Sequence, residues 1–212
     1  MARSSCAVAL AVAVSVAGCG SSSKTVSSSS STSAAEPAAS ASLAPYLVRA
    51  GEETGYSPEG APTLATSPAA WVTDTHGEAA ETKRLTEEGF RAAERVETGG
   101  SNKSGVSLVM ELGTPSAAQH EVAASLQESV AREHPTSQFT VATLPDSHGF
   151  EASGEGKVVG NVLFSEGSCF LVIGDQVNSG TDPKPAVIAG ALKVYARTAH
   201  SNGVCGRMQA SP

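Results

Sequence analysis

Aromatic residues make up only 4% of this sequence, with a single tryptophan, and charged residues only 17%. No apolar run reaches the ~20 residues that a helix needs to cross ~30 Å of hydrocarbon, so no permanent helical membrane span is expected. Basic residues never cluster beyond the pair Lys83-Arg84, and acids outnumber bases by 21 to 14. That balance argues against nucleic acid and anionic headgroups as partners. The five histidines, His76, His120, His134, His148 and His200, show no HxH or HExxH spacing. His120 and His134 fall near opposite ends of one expected helix, ~20 Å apart at ~1.5 Å per residue, so no shared metal ion and no cofactor is expected.

Other familiar chemistries are missing too. There is no GxSxG elbow and no SxxK pair. Gly154-Glu155-Gly156-Lys157-Val158 carries the glycine–lysine step of a phosphate loop, but Glu151 stands where its first glycine belongs and Val158 where its hydroxyl belongs. The adjacent acids Glu52-Glu53 and Glu87-Glu88 cannot flank a sugar ring and read as solvated surface.

What the sequence does contain begins at the N-terminus. Residues 1–5 carry Arg3 and no acid, and residues 6–17 are all apolar or small. A short positive segment before a ~12-residue apolar one is the pattern of a secretory signal peptide, assigned here to residues 1–18. It ends in Val16-Ala17-Gly18-Cys19, which resembles the lipobox of bacterial lipoproteins. The resemblance implies cleavage before Cys19, diacylglyceryl transfer to its thiol, and a chain held at the outer face of the cell membrane. Ordinary signal cleavage beside a chance cysteine is the competing reading. One acyl chain binds a membrane marginally, and each further chain adds ~0.8 kcal/mol per buried methylene.

Residues 19–42 hold the lipidated cysteine and a tract of Ser, Ala and Thr. They lack the bulky apolar side chains needed to offset the entropy of ordering, so a flexible tether is expected. Roughly 25 residues at ~5–6 Å times the square root of length span ~25–30 Å. Residues 43–212 are then one extracytoplasmic domain. Losing residues 1–18 removes only Arg3 among the charges, which leaves 13 basic against 21 acidic residues.

Of the four cysteines, Cys6 leaves with the signal and Cys19 takes the lipid. Cys169 and Cys205 remain, and an oxidising compartment favours a disulfide between them. Two free buried thiols or a metal pair are the alternatives, and no CxxC spacing supports a metal.

Within the domain, prolines and glycines predict largely irregular chain over 43–73, packed through Tyr46, Leu47, Tyr56 and Trp71. Thr75-x-x-Glu78 has capping-box spacing and opens a helix that ends at Gly89-Phe90. Thr114-Pro115 opens a second, with Ala118, Val122, Leu126 and Val130 recurring every four residues until His134-Pro135. Asp182-Pro183 opens a third. Strand patterns cover 91–98 and 106–112, then 138–144, then 157–164 and 169–177. The fold class expected is α+β: an antiparallel sheet of about five strands with about three helices mainly on one face.

The segments 46–56, 161–164 and 169–175 are similar to those of a group of actinobacterial cell-surface lipoproteins. The resemblance spans most of the chain past the tether, and its motifs are strand cores, a glycine and the cysteine pair. It implies no catalytic residue.

Asp146-Ser147-His148 is the most site-like stretch, with an acid, a hydroxyl and an imidazole together. Neighbours in sequence rarely face one another as a triad, and Asp and Ser after Pro145 are ordinary turn residues. Asp146 and His148 are carried forward as possible ligand contacts. The function expected is a non-catalytic domain that binds an envelope ligand or protein partner. The alternatives are an envelope hydrolase using Asp146, Ser147 or His148, and a structural lipoprotein.

Overall fold

The computed structural model describes residues 42–75, 77, 79–199 and 203–205. The signal segment, Cys19, the tether, His76, Glu78 and His200 lie outside the described residues. The domain is α+β, with seven antiparallel strands and four α-helices. In chain order these are β1 (Ser57–Ala65), α1 (Pro68–Thr75), α2 (Ala79–Glu87), β2 (Ala92–Gly100), β3 (Lys103–Glu111), α3 (Pro115–Glu133), β4 (Ser137–Phe139), β5 (His148–Gly154), β6 (Lys157–Glu166), β7 (Cys169–Asn178) and α4 (Lys184–Thr198). The sheet order is β1-β2-β3-β7-β6-β5-β4, with β3 and β7 joining two hairpin-built halves.

Turn chemistry sets the hairpins. Asn102 lies between β2 and β3 at φ 60°, and Glu155 and Gly156 between β5 and β6 at φ 50° and 74°. Two consecutive left-handed residues make the tight turn whose twist suits antiparallel strands. Helix α3 starts as its sequence dictates. Thr114 Oγ1 accepts from the Ala117 amide at 3.1 Å, and Pro115 takes the first turn, where no amide donor is needed.

The strand count exceeds the expected five because β1 and β5 were not foreseen. Strand β1 contains Pro58, Gly60 and Pro62, which read as irregular chain. It is an edge strand with a bulge between Glu59 and Thr63, one of the few settings where a sheet tolerates proline. Strand β5 begins at His148, inside the stretch expected to be a turn, while the strand expected at 138–144 shrinks to three residues. The helix expected from Thr75 begins only at Ala79, as α2, and α1 stands where irregular chain was expected, ending at Thr75.

Helices cover both faces of the sheet, not mainly one. Helix α4 and the segment around Leu43 and Tyr46 pack on Val109, Val162, Phe164, Leu171 and Ile173. Helices α1, α2 and α3 pack on the alternate residues Met110, Leu163 and Phe170. Two buried faces explain why β6 and β7 read as nearly unbroken apolar runs.

Cys169 and Cys205 form a buried disulfide that ties the start of β7 to the chain beyond α4. The Cys205 carbonyl accepts from the Ser168 amide at 3.1 Å, and its amide donates to Tyr46 Oη at 3.3 Å. From α4, Arg197 grips both Glu52 carboxylate oxygens at 2.9 Å and the carbonyls of Pro45 and Leu47. The segment entering the domain is thus fastened to α4 by charge-assisted bonds. Among the described residues, no helix is long and apolar enough to cross a membrane.

Candidate functional site

Asp146, Ser147 and His148 do not converge. Asp146 is exposed, at φ 49°, and accepts from Gln119 Nε2 at 3.0 Å. Ser147 is buried, and its hydroxyl accepts from the Val141 amide at 2.9 Å and donates to the Val141 carbonyl at 3.1 Å. A hydroxyl bonded on both sides closes a turn and is not free to attack. His148 is exposed at the head of β5. His120 Nδ1 meets Glu88 Oε1 at 2.5 Å, and His134 caps α3 in the left-handed conformation. No group of three or more His, Cys, Asp or Glu side chains among the described residues could hold a metal ion.

The most perturbed ionisable groups lie elsewhere. The adjacent acids Glu52-Glu53 are not solvated surface. Glu52 pairs with Arg197, and Glu53 is only 2% exposed and faces Asp175 of β7, also 2% exposed. Thr98, Gly105 and Asp175 sit in register across β2, β3 and β7. A Cβ on Gly105 would come within 2.5 Å of Asp175 Oδ1 and 2.6 Å of Thr98 Oγ1, so glycine makes the space for this row. The oxygens of Glu53, Asp175, Tyr56 and Thr98 are buried together, with no hydrogen-bond partner from the rest of the described residues. Burial, then the Asp175 charge, pushes Glu53 up to about 9, and Lys103 opposes the rise. Burial pushes Asp175 up to about 7, against the Glu53 and Tyr56 hydroxyl donors and Lys103. Burial and the same acids raise Tyr56. At neutral pH Glu53 therefore carries a proton and donates it toward Asp175. Two acids almost sealed from solvent cannot meet a substrate. Lying against each other, they join the entering segment to the sheet, and burial favours their protonated forms.

The opposite face holds an open cleft of about 310 Å³ between the sheet and helices α1–α3. That volume is at the small end of the ~300–1,000 Å³ typical of ligand pockets. Its floor is mostly apolar: Met110, Phe150, Leu163 and Phe170 are buried sheet residues, with Leu108 and Val172 partly covered beside them and Asn161 of β6 as the polar member. Trp71 of α1 forms one wall. The mouth is polar, lined by Glu81 of α2 and by Glu121, Ser125, Glu128, Ser129, Arg132 and Glu133 of α3.

The cleft follows from the sequence of α3. Ala118 and Val122 bury its first half against the sheet. One and two turns on, Ser125 and Ser129 occupy the inward side, and their small side chains leave space that Leu or Phe would fill. Ser125 Oγ donates to Glu121 Oε1 at 2.9 Å. Arg84 ion-pairs with the buried Glu121 and reaches Glu128 at 3.3 Å, while Arg132 holds Glu133 at 2.8 Å. The Arg84 bonds tie α2 to α3 at the mouth. Neither Asp146 nor His148 lines the cleft.

No family model and no curated protein matches the chain. The fold is similar to the extracellular domain of PknH from Mycobacterium tuberculosis. The two are 10% identical, with a TM-score of 0.43, over 68% of this chain and 86% of that one. A likeness of that size says nothing of ligand or activity.

Neither the acid pair nor the cleft is announced by a sequence motif. The acid joint left a signal: Cys169, Leu171, Ile173, Asp175 and Val177 alternate on one strand face, so Asp175 falls at an inward position. The cleft left a weaker one, the stripe Glu121, Ser125, Ser129 and Arg132 along the side of α3 next to its apolar stripe.

Proposed function

We propose that this chain is an extracytoplasmic, lipid-anchored binding domain whose cleft holds a small amphipathic molecule. The observation that carries the reading is the cleft itself, with a mostly apolar sheet floor beneath a charged mouth. Burying a ligand's apolar body there gains ~25 cal/mol per Å² removed from water, and the polar mouth orients its head. The reading is non-catalytic. At the mouth the hydroxyl of Ser125 donates to Glu121, a buried carboxylate whose charge Arg84 already neutralises, which weakens it as a base. A hydrolase at Asp146, Ser147 and His148 finds no support in their separate partners.

The anchor at Cys19 belongs to this proposal on its lipobox. Cys19→Ala moves the protein from the membrane fraction to the soluble one, and retention in the membrane contradicts the anchor. For the cleft, the neutral dye N-phenyl-1-naphthylamine brightens on saturable one-site binding. Ser129→Phe fills the cleft and abolishes that response with little change in melting temperature. Equal brightening by a folded Ser129→Phe protein contradicts the cleft as the site.

A further inference from the structure

The mouth of the cleft carries more negative than positive charge, and one acid is left over. Glu81, Glu121, Glu128 and Glu133 line it with one arginine, Arg132. Arg84, behind the mouth, is taken by Glu121 and Glu128, and Arg132 by Glu133. Glu81 has no ion pair among the described residues, although it is partly buried. Burial raises its pKa above the ordinary carboxylate range; Glu128 adds to the rise, while Arg84, the Trp71 indole N–H and Arg132 oppose it. A carboxylate whose lost hydration outweighs what its neighbours return is stabilised by a further cation brought to it.

Three aromatic rings share the cleft with Glu81, one in the wall and two in the floor. Trp71, Phe150 and Phe170 line the cleft. Aromatic faces attract ammonium and guanidinium groups and repel anions. An anionic head would meet four glutamates and would have to compete with them for two arginines already bonded.

We propose that the cleft selects amphiphiles with a cationic head, an ammonium or guanidinium group placed at Glu81, with the apolar body on Met110, Leu163 and Phe170. This inference rests on the cleft being a binding site, and the two can fail separately. The test uses the full chain carrying Cys19→Ala, so that its own lipid cannot compete. Three probes share an eight-carbon tail and differ in head charge: octyltrimethylammonium and octanoate, each kept below its micellar concentration, and 1-octanol, kept below its solubility limit. Trp71, the one tryptophan of the chain, reports occupancy by fluorescence, and calorimetry gives the affinity.

Octyltrimethylammonium is expected to bind at least tenfold tighter than octanoate and several-fold tighter than 1-octanol. Glu81→Gln, which keeps the side-chain shape, removes most of that preference and leaves 1-octanol unchanged. Glu87→Gln, on the exposed side of the same helix, leaves all three unchanged. Equal binding of the three probes, or a preference for octanoate, overturns the cationic selection while the cleft stands as a site. So does an undiminished preference in folded Glu81→Gln. No binding of any probe by either method overturns the proposed function itself.

Discussion

Replacing Cys169 and Cys205 together by serine lowers the melting temperature by roughly 6–16 °C. The bridge closes a loop with a sequence separation of 36. In the chain-entropy account a closure of that length stabilises the fold by ~3–4 kcal/mol. For a domain of this size, each kcal/mol corresponds to ~2–4 °C. The loss is also local. Cys205 holds Ser168 through its carbonyl and Tyr46 through its amide, so releasing it loosens the chain beyond α4 and the segment that packs beside it. The double replacement avoids leaving a lone thiol buried. Calorimetry under oxidising conditions measures the effect. A melting temperature within 2 °C of the wild type, a margin below the ~1 kcal/mol scale, contradicts a stabilising bridge.

Glu53→Gln is expected to raise stability at alkaline pH and to leave it nearly unchanged in acid. The sign follows from the direction of the shifts. Glu53 and Asp175 both have folded pKa values above their ordinary ones, about 9 and about 7. Their contribution is complete below the ordinary carboxylate range, and is lost as pH rises through about 7 and then about 9. At pH 9 the wild-type joint approaches two buried anions facing one cation, Lys103. An uncompensated buried charge costs on the order of 3 kcal/mol. The glutamine amide supplies the donor that protonated Glu53 supplied and cannot ionise. Melting curves from pH 5 to pH 9 should therefore fall for the wild type and be flatter for the variant, the two meeting near pH 5. Parallel curves would show that burial does not hold the pair protonated.

Much of the fold was legible because its signals are local. Thr114-Pro115 sets the start of α3, Gly89-Phe90 closes α2, and the apolar arms of β6 and β7 name themselves as strands. Strand β1 hid because its prolines argue against a sheet anywhere except an edge, and the sequence does not announce which strand is an edge. The coverage of both faces was encoded in the unbroken run 169–173, where a one-faced sheet would have alternated. The sites were harder because each is made of residues remote in sequence. Glu53 and Asp175 meet only because β7 is central and the entering segment crosses over it. Trp71, Glu81 and Ser129 come together through three helices laid on one face. Asp146, Ser147 and His148, adjacent in sequence, go separate ways once Ser147 turns inward to Val141.

The central property proposed for the cleft is that it holds a small molecule from the envelope. The single tryptophan gives this a direct readout, because Trp71 contributes the one indole N–H resonance of the chain and lines the cleft. A lipid and metabolite extract of the native envelope, added to the ¹⁵N-labelled protein, is predicted to shift that resonance saturably in the wild type and not in Ser129→Phe. An indole resonance that stays fixed at saturating extract, or moves equally in both proteins, contradicts the cleft as the site of binding.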